Sequence, residues 1–177
     1  VYKETTATLN QTPRFLQPAP FAVDFISNKM FGGASSWWSA TRLTDARLQF
    51  ESTAAETSVS TTHEFDHNDG VAVNGLSGDT DFMGYMWKRA PSFCDVVAYT
   101  GNGTAGHTVS HNLTVPPEMM WIKERNTVRN WSVYHTGTHA TAPEDYWLKL
   151  DVDQAVSANS HLNSTAPTSS NFTLGST

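Results

Sequence analysis

The sequence predicts an all-β protein of the sandwich or barrel class. Helix signals are weak along its 177 residues. β-branched and aromatic residues recur in short runs, and Gly, Asn, Asp and Pro break those runs at turn-like spacing. Several runs also alternate in the two-residue period of a strand.

The runs can be taken in order. "FAVDFIS" (21–27) alternates and places Phe21, Val23 and Phe25 on one face. "DFMGYMWK" (81–88) puts Met83, Tyr85 and Trp87 on one face and Phe82, Gly84 and Met86 on the other. Both faces are apolar, as in a strand with neighbours on both sides. "FCDVVAYT" (93–100) reads as a strand stopped by Gly101-Asn102-Gly103, with "HTVSHNL" (107–113) as its hairpin partner. "EMMWIKER" (118–125) and "NWSVYH" (130–135) read as strands around a polar turn, and "YWLKLDV" (146–152) as one more.

The chain also resembles itself. "PAPFAVDFIS" falls over "VPPEMMWIKE", with Pro20 over Pro117, about 97 residues apart. Trp38-Ser39 falls over Trp131-Ser132, "LQFES" (48–52) over "LKLDV" (148–152), and Phe65-Asp66 over Leu162-Asn163. Val71-Ala72-Val73 falls over Phe172-Thr173-Leu174. The order is kept and the gaps are loop-sized. The reading is two tandem related units, 1–91 and 92–177, joined near Ala90-Pro91, the first the more diverged copy. Shared positions predict core roles for Trp38 and Trp131. The second copy stops before any equivalent of "DFMGYMWK", so a neighbouring chain or residues beyond Thr177 are expected to complete it. The start at Val1 is that expected of a processed or partial product.

Bulk composition narrows the function classes. Net charge is −6, only 16% of residues are charged, and no basic patch stands out, which argues against nucleic acid as a partner. No run approaches the roughly 18 apolar residues of a membrane helix, and no secretory signal pattern opens the chain. The one cysteine, Cys94, excludes an internal disulfide framework and reads as a packing residue. Asn-x-Ser/Thr triplets occur at Asn10, Asn102, Asn112, Asn130, Asn163 and Asn171, the chance yield of a Ser/Thr-rich chain.

"HEFDH" (63–67) matches H-E-x-x-H, in which two histidines on one helix face bind Zn²⁺. The pattern needs a helix. "NDG" follows it, a turn signal, and the corresponding stretch of the second copy carries Pro167 and a Ser/Thr cluster. The segment is therefore expected to be non-helical and to hold no zinc. The pairs His107/His111 and His135/His139 fail likewise, because residues four apart in a strand lie about 13 Å apart. Asp66, Asn68 and Asp69 form an acidic turn, a weak candidate for ligand contact that offers too few oxygens for a dedicated Ca²⁺ site. Trp121 lies between Met120 and Ile122, so its side chain points away from theirs and is the better candidate for an exposed sugar-stacking platform. Glu118, Glu124, Glu144 and Asp145 form no recognisable acid/base pair of the kind glycoside hydrolysis needs. "TGNGTAG" (100–106) leads into a strand and so lacks the helix N-terminus that binds phosphate. No catalytic residue, cofactor or metal is expected, and the chain is not read as an enzyme.

The run "FCDVVAYTGNGTAGHTVSHNLTVPPEMMWIKERNTVRNWSVYH" (93–135) resembles a module of tail-fibre and other virion structural proteins of marine phages, cyanophages included. The resemblance rests on Tyr99 to Gly103, Ser110 to Leu113, Pro117 to Lys123 and Trp131 to His135, with 163–176 similar to the module's later stretch. Residues 20–91 resemble a diverged copy. The resemblance implies a concanavalin-like or jelly-roll β-sandwich with structural or adhesive duty in the virion. It implies other virion proteins and further copies of the chain as partners, and no membrane insertion. A carbohydrate-binding, lectin-like module that takes a cell-surface glycan is the alternative, with a capsid decoration protein as another.

Overall fold

A computed structural model describes residues 2–4, 14–16, 19–30, 36–44, 46–58, 63–73 and 82–176. Asn10 and Asp81, which figure in the sequence reading, lie outside the described residues. The chain divides into two compact units, Val1–Arg89 and Ala90–Thr177. Among the described residues there is no α-helix, and every strand pairing is antiparallel.

The first unit holds β1 (Tyr2–Glu4), β2 (Arg14–Leu16), β3 (Phe25–Met30), β4 (Trp38–Thr41), β5 (Ala46–Gln49), β6 (Thr57–Ser58), β7 (His63–Glu64), β8 (Val71–Val73) and β9 (Phe82–Trp87). They form a six-stranded sheet in the order β1-β9-β3-β4-β5-β6 and a three-stranded sheet in the order β2-β8-β7. The core draws Ile26 from β3, Ala40 from β4, and Val71 and Val73 from β8, with Val23 and Phe65 from loops. Both sheets therefore send residues to one apolar layer, as in a β-sandwich.

The second unit holds β10 (His107–Ser110), β11 (Met119–Ile122), β12 (Ser132–His135), β13 (Tyr146–Lys149), β14 (Ser157–Ala158) and β15 (Asn171–Leu174), with short 3-10 turns at Thr136–Thr138 and Pro143–Asp145. Its sheets run β11-β12-β13-β14 and β10-β15. Val109, Tyr134, Leu162 and Phe172 form the core, and Met120, Ile122 and Leu174 pack against it. Glycine sets the entry to β10. Gly103 and Gly106 have φ of 70° and 87°, which a side chain would resist, and the Gly106 N–H donates to Leu174 O at 2.8 Å beside the β10–β15 ladder.

The pairings of the two units correspond. In each, four consecutive strands form an up-and-down meander, β3 to β6 and β11 to β14, and an earlier strand pairs with a late one, β2 with β8 and β10 with β15. Core residues fix the register of the comparison: the cross-strand pair Ile26–Ala40 matches Met120–Tyr134. The loop bonds agree. The Arg42 N–H donates to Asp24 O as the Thr136 N–H does to Glu118 O, each at 2.9 Å. The Trp37 N–H donates to both Glu51 carboxylate oxygens, at 2.9 and 3.0 Å. The Trp131 N–H donates to the Asp151 carboxylate at 2.9 Å. Trp37, and not Trp38, is therefore the counterpart of Trp131. Neighbouring tryptophans at 37 and 38 let a one-residue slip pass unseen in the sequence. Trp131 is buried, whereas both Trp37 and Trp38 are only half-buried.

Three strand expectations change. Residues 95–100 form no strand. The Asp95 carboxylate accepts the N–H groups of Val96 and Asn112 at 2.9 and 2.8 Å, which spends backbone donors on a side chain in place of a ladder. β10 consequently pairs with β15 and not with 93–100. Cys94, expected in the packed interior, is half-buried and free of any disulfide. In the first unit the strand begins at Phe25, later than the alternation of 21–27 suggested. Asp24 breaks the run: its carboxylate accepts the Arg89 N–H at 2.8 Å and pairs with Arg42 Nε at 3.5 Å. Val23 and Ile26 thus reach the core, while Phe25 turns to the other face, its ring centroid 5.1 Å from that of Trp87.

Candidate functional site

Residues 63–67 are not helical. His63 and Glu64 form β7, and the chain then runs irregularly to Gly70. His63 is buried, with Nε2 3.1 Å from Asn28 Oδ1. Burial first, and the Arg47 charge second, push its pKa down to about 4. It is a neutral core imidazole tied to β3. Arg42 fastens the loop beyond it: its Nε donates to Val23 O at 3.0 Å, its Nη2 donates to His67 O at 3.4 Å, and its guanidinium lies 5.8 Å from the Phe65 ring centroid. Asp66, Asn68 and Asp69 are exposed on this β7–β8 loop. They stand in the first unit, whereas Trp121, the other sequence candidate, stands in the second.

Three further histidines serve local structure. His111 is buried; its Nδ1 accepts the Leu113 N–H at 3.2 Å, so its Nε2–H donates to Thr168 O at 3.2 Å. His135 Nδ1 accepts the Gly137 N–H at 2.9 Å and caps a 3-10 turn. His139 stacks on Tyr146, with centroids 4.4 Å apart and planes 7° from parallel. Among the described residues no group of three or more His, Cys, Asp and Glu side chains is placed to hold a metal ion. No helix among them is long and apolar enough to cross a membrane.

A shallow cleft in the second unit is lined by Tyr134, Glu144, Trp147, Asn159 and His161 among others. The His161 pKa is lowered by burial and then by Lys149, and the Tyr134 pKa is raised by burial and then by Glu144. Trp147 lies against His161 in this lining, their ring centroids 4.4 Å apart.

The feature with most contact potential is β11. Its side chains alternate as strand geometry requires. Met120 and Ile122 pack on the core, while Met119 and Trp121 face the other way and are 51% and 43% exposed. β11 is also the outermost strand of its sheet. Sequence reasoning singled out Trp121 from the alternation but missed Met119, because it took Trp121 as a lone platform and not as part of an edge.

The family model for a domain of unknown function, DUF7483, matches residues 88–177. No curated protein matches the chain, and no solved structure does.

Proposed function

The chain belongs to the DUF7483 family of domains of unknown function, and from that premise we propose that it is a structural component of a phage virion, a tail-fibre or surface-appendage protein with an adhesive role in host recognition. The observation that carries this reading is the correspondence of strand pairings between the two units. We take them as tandem copies of one sandwich of the concanavalin-like or jelly-roll kind. Repetition of a stable β unit is a direct way to build a long, protease-resistant appendage, and display of many copies turns weak contacts into useful avidity. The use of histidines in buried and capping hydrogen bonds supports a scaffold over a catalyst. The likeness of residues 93–135 to virion modules supplies the setting. Antibodies raised against the chain should decorate a surface appendage of purified particles in electron micrographs. Their failure to label particles that contain the chain by mass spectrometry would count against the appendage.

A lectin-like module is the second reading, favoured by the exposed faces of Trp121 and Met119. A glycan array probed with the chain separates the two. Specific binding that falls about tenfold, some 1.4 kcal/mol, on Trp121→Ala supports the lectin, and uniform silence supports the scaffold.

A further inference from the structure

The loop that leads into β10 sets an asparagine before a glycine. Asn102 and Gly103 are both exposed. The Asn102 side chain folds over the following peptide as an Asx turn: its Oδ1 accepts the Thr104 N–H at 2.9 Å. Gly103 has a φ of 70°, and a Cβ built on it would meet no heavy atom within 4 Å. Among the described residues the Gly103 N–H has no hydrogen-bond partner. Two other asparagines of this unit are held differently. The N–H that follows Asn112 belongs to Leu113 and donates to His111 Nδ1 at 3.2 Å. The N–H that follows Asn130 belongs to Trp131 and donates to the Asp151 carboxylate at 2.9 Å, and Asn130 Nδ2 donates to the same carboxylate at 2.7 Å.

We propose that Asn102 is a site of spontaneous, intramolecular deamidation, in which the Gly103 backbone nitrogen attacks the Asn102 side-chain carbonyl. The Gly103 N–H gives up its proton as the nitrogen bonds to Asn102 Cγ. The Cγ–Nδ2 bond then breaks, and Nδ2 leaves as ammonia with that proton. The product is a succinimide ring that includes the main chain. Water opens the ring at either carbonyl. Opening at Cγ gives aspartate. Opening at the main-chain carbonyl gives isoaspartate, in which the chain runs through Cβ and Cγ. Nothing is oxidised or reduced, and water is the only co-reactant. Three features favour the attack. Glycine puts no side chain beside the attacking nitrogen. Its exposed N–H gives up a proton to solvent base without breaking a protein hydrogen bond. The Thr104 N–H lies at a distance that stabilises the negative charge developing on Oδ1. At Asn112 and Asn130 the corresponding nitrogen is already engaged, and a bulky side chain flanks it. Isoaspartate adds a methylene to the main chain of a loop that the Gly106 N–H anchors to Leu174 O. It also adds a negative charge to a chain of net charge −6. The inference stands on this loop alone and is independent of the virion reading.

The test incubates the full chain in mildly alkaline buffer and follows each asparagine by peptide mapping, with fragmentation that locates the change and separates aspartate from isoaspartate. Asn102 is expected to pass through the ammonia-loss form and then to carry OH in place of NH2. It should do so at least about tenfold faster than Asn112 and Asn130, with isoaspartate among the products. A smaller difference between the three sites overturns the proposal. Conversion to aspartate alone overturns it too, since that reports direct hydrolysis. Gly103→Ala, whose methyl has room in the open loop, is expected to slow the reaction about tenfold; an unchanged rate overturns the assigned nucleophile. The same chain in guanidinium chloride separates the loop geometry from the bare dipeptide. A folded rate within about tenfold of the unfolded rate, or above it, supports the site. A stronger suppression on folding overturns it, because the folded loop would then block the attack.

Discussion

At the scale of single residues, His63 makes stability depend on pH. The folded site holds the ring neutral, with a pKa of about 4 against an ordinary value of 6.5, through burial and then the nearby Arg47 charge. Above pH 6.5 the ring is neutral folded or unfolded, and the site carries no penalty. Below that, the unfolded chain takes up a proton that the folded chain refuses until about pH 4, so stability falls across that window and levels off beneath it. The full drop is about 3 kcal/mol. His161 adds a smaller change of the same sign, its pKa lowered by burial and Lys149. Urea midpoints measured from pH 7 to pH 4 should therefore decline, and His63→Gln should remove most of the slope; a variant as pH-sensitive as the parent would refute the assignment. Gly175 offers a second test. A Cβ built there would stand 2.1 Å from the Ser160 carbonyl oxygen, and the Gly175 N–H donates to His161 O at 2.8 Å, so the two backbones cannot part without losing that bond. Gly175→Ala is expected to cost about 1–3 kcal/mol, read as a lowered melting temperature.

At the scale of elements, the strand ends show what a side chain contributes through its place in a pairing. Trp131 enters β12 buried to 5% exposure, its N–H held by Asp151. Trp131→Ala is expected to cost about 3–5 kcal/mol. Trp38 is half-buried beneath the Arg47 guanidinium, 4.0 Å from its ring centroid, so Trp38→Ala should cost clearly less. Denaturant melts of the two variants would decide, and equal losses would mean that the register of the two units is misread. Short β-prone runs bounded by turn residues made β9, β11, β12 and β13 legible from the sequence, β9 and β11 as apolar runs and not as an apolar–polar alternation. The acidic residues at 24 and 95 hid the true strand limits. Their carboxylates capture backbone N–H groups, a competition that periodicity does not register. The pairing of β10 with β15 was hidden too, since it joins residues far apart in the chain. Trp121 was legible as an outward residue from its neighbours alone. That it lies on an edge follows from the sheet order and not from any local pattern.

At the scale of the whole molecule, each unit has a core of its own. The second gathers Val109, Tyr134, Leu162 and Phe172 from strands and loops that all lie within Ala90–Thr177. Its first turn is closed internally as well: Ala90 and Cys94 form a bridge, and the Ser92 N–H donates to Leu113 O at 2.6 Å. Units of this size bury a smaller share of their surface than larger domains do, so independent folding is an informative test. We expect the fragment 90–177, produced alone, to show a strand-type circular dichroism spectrum and a single cooperative melt. Its margin should be small, on the order of 5 kcal/mol. In that fragment Trp131→Ala, at about 3–5 kcal/mol, should use up most of that margin and lower the melting temperature sharply. The conservative Trp131→Phe should retain a melt at lower temperature. A fragment that is unfolded under conditions where the full chain is native would show that the second unit draws stability from outside its own residues. The core cluster would then be too small a basis for treating the unit as a free-standing domain.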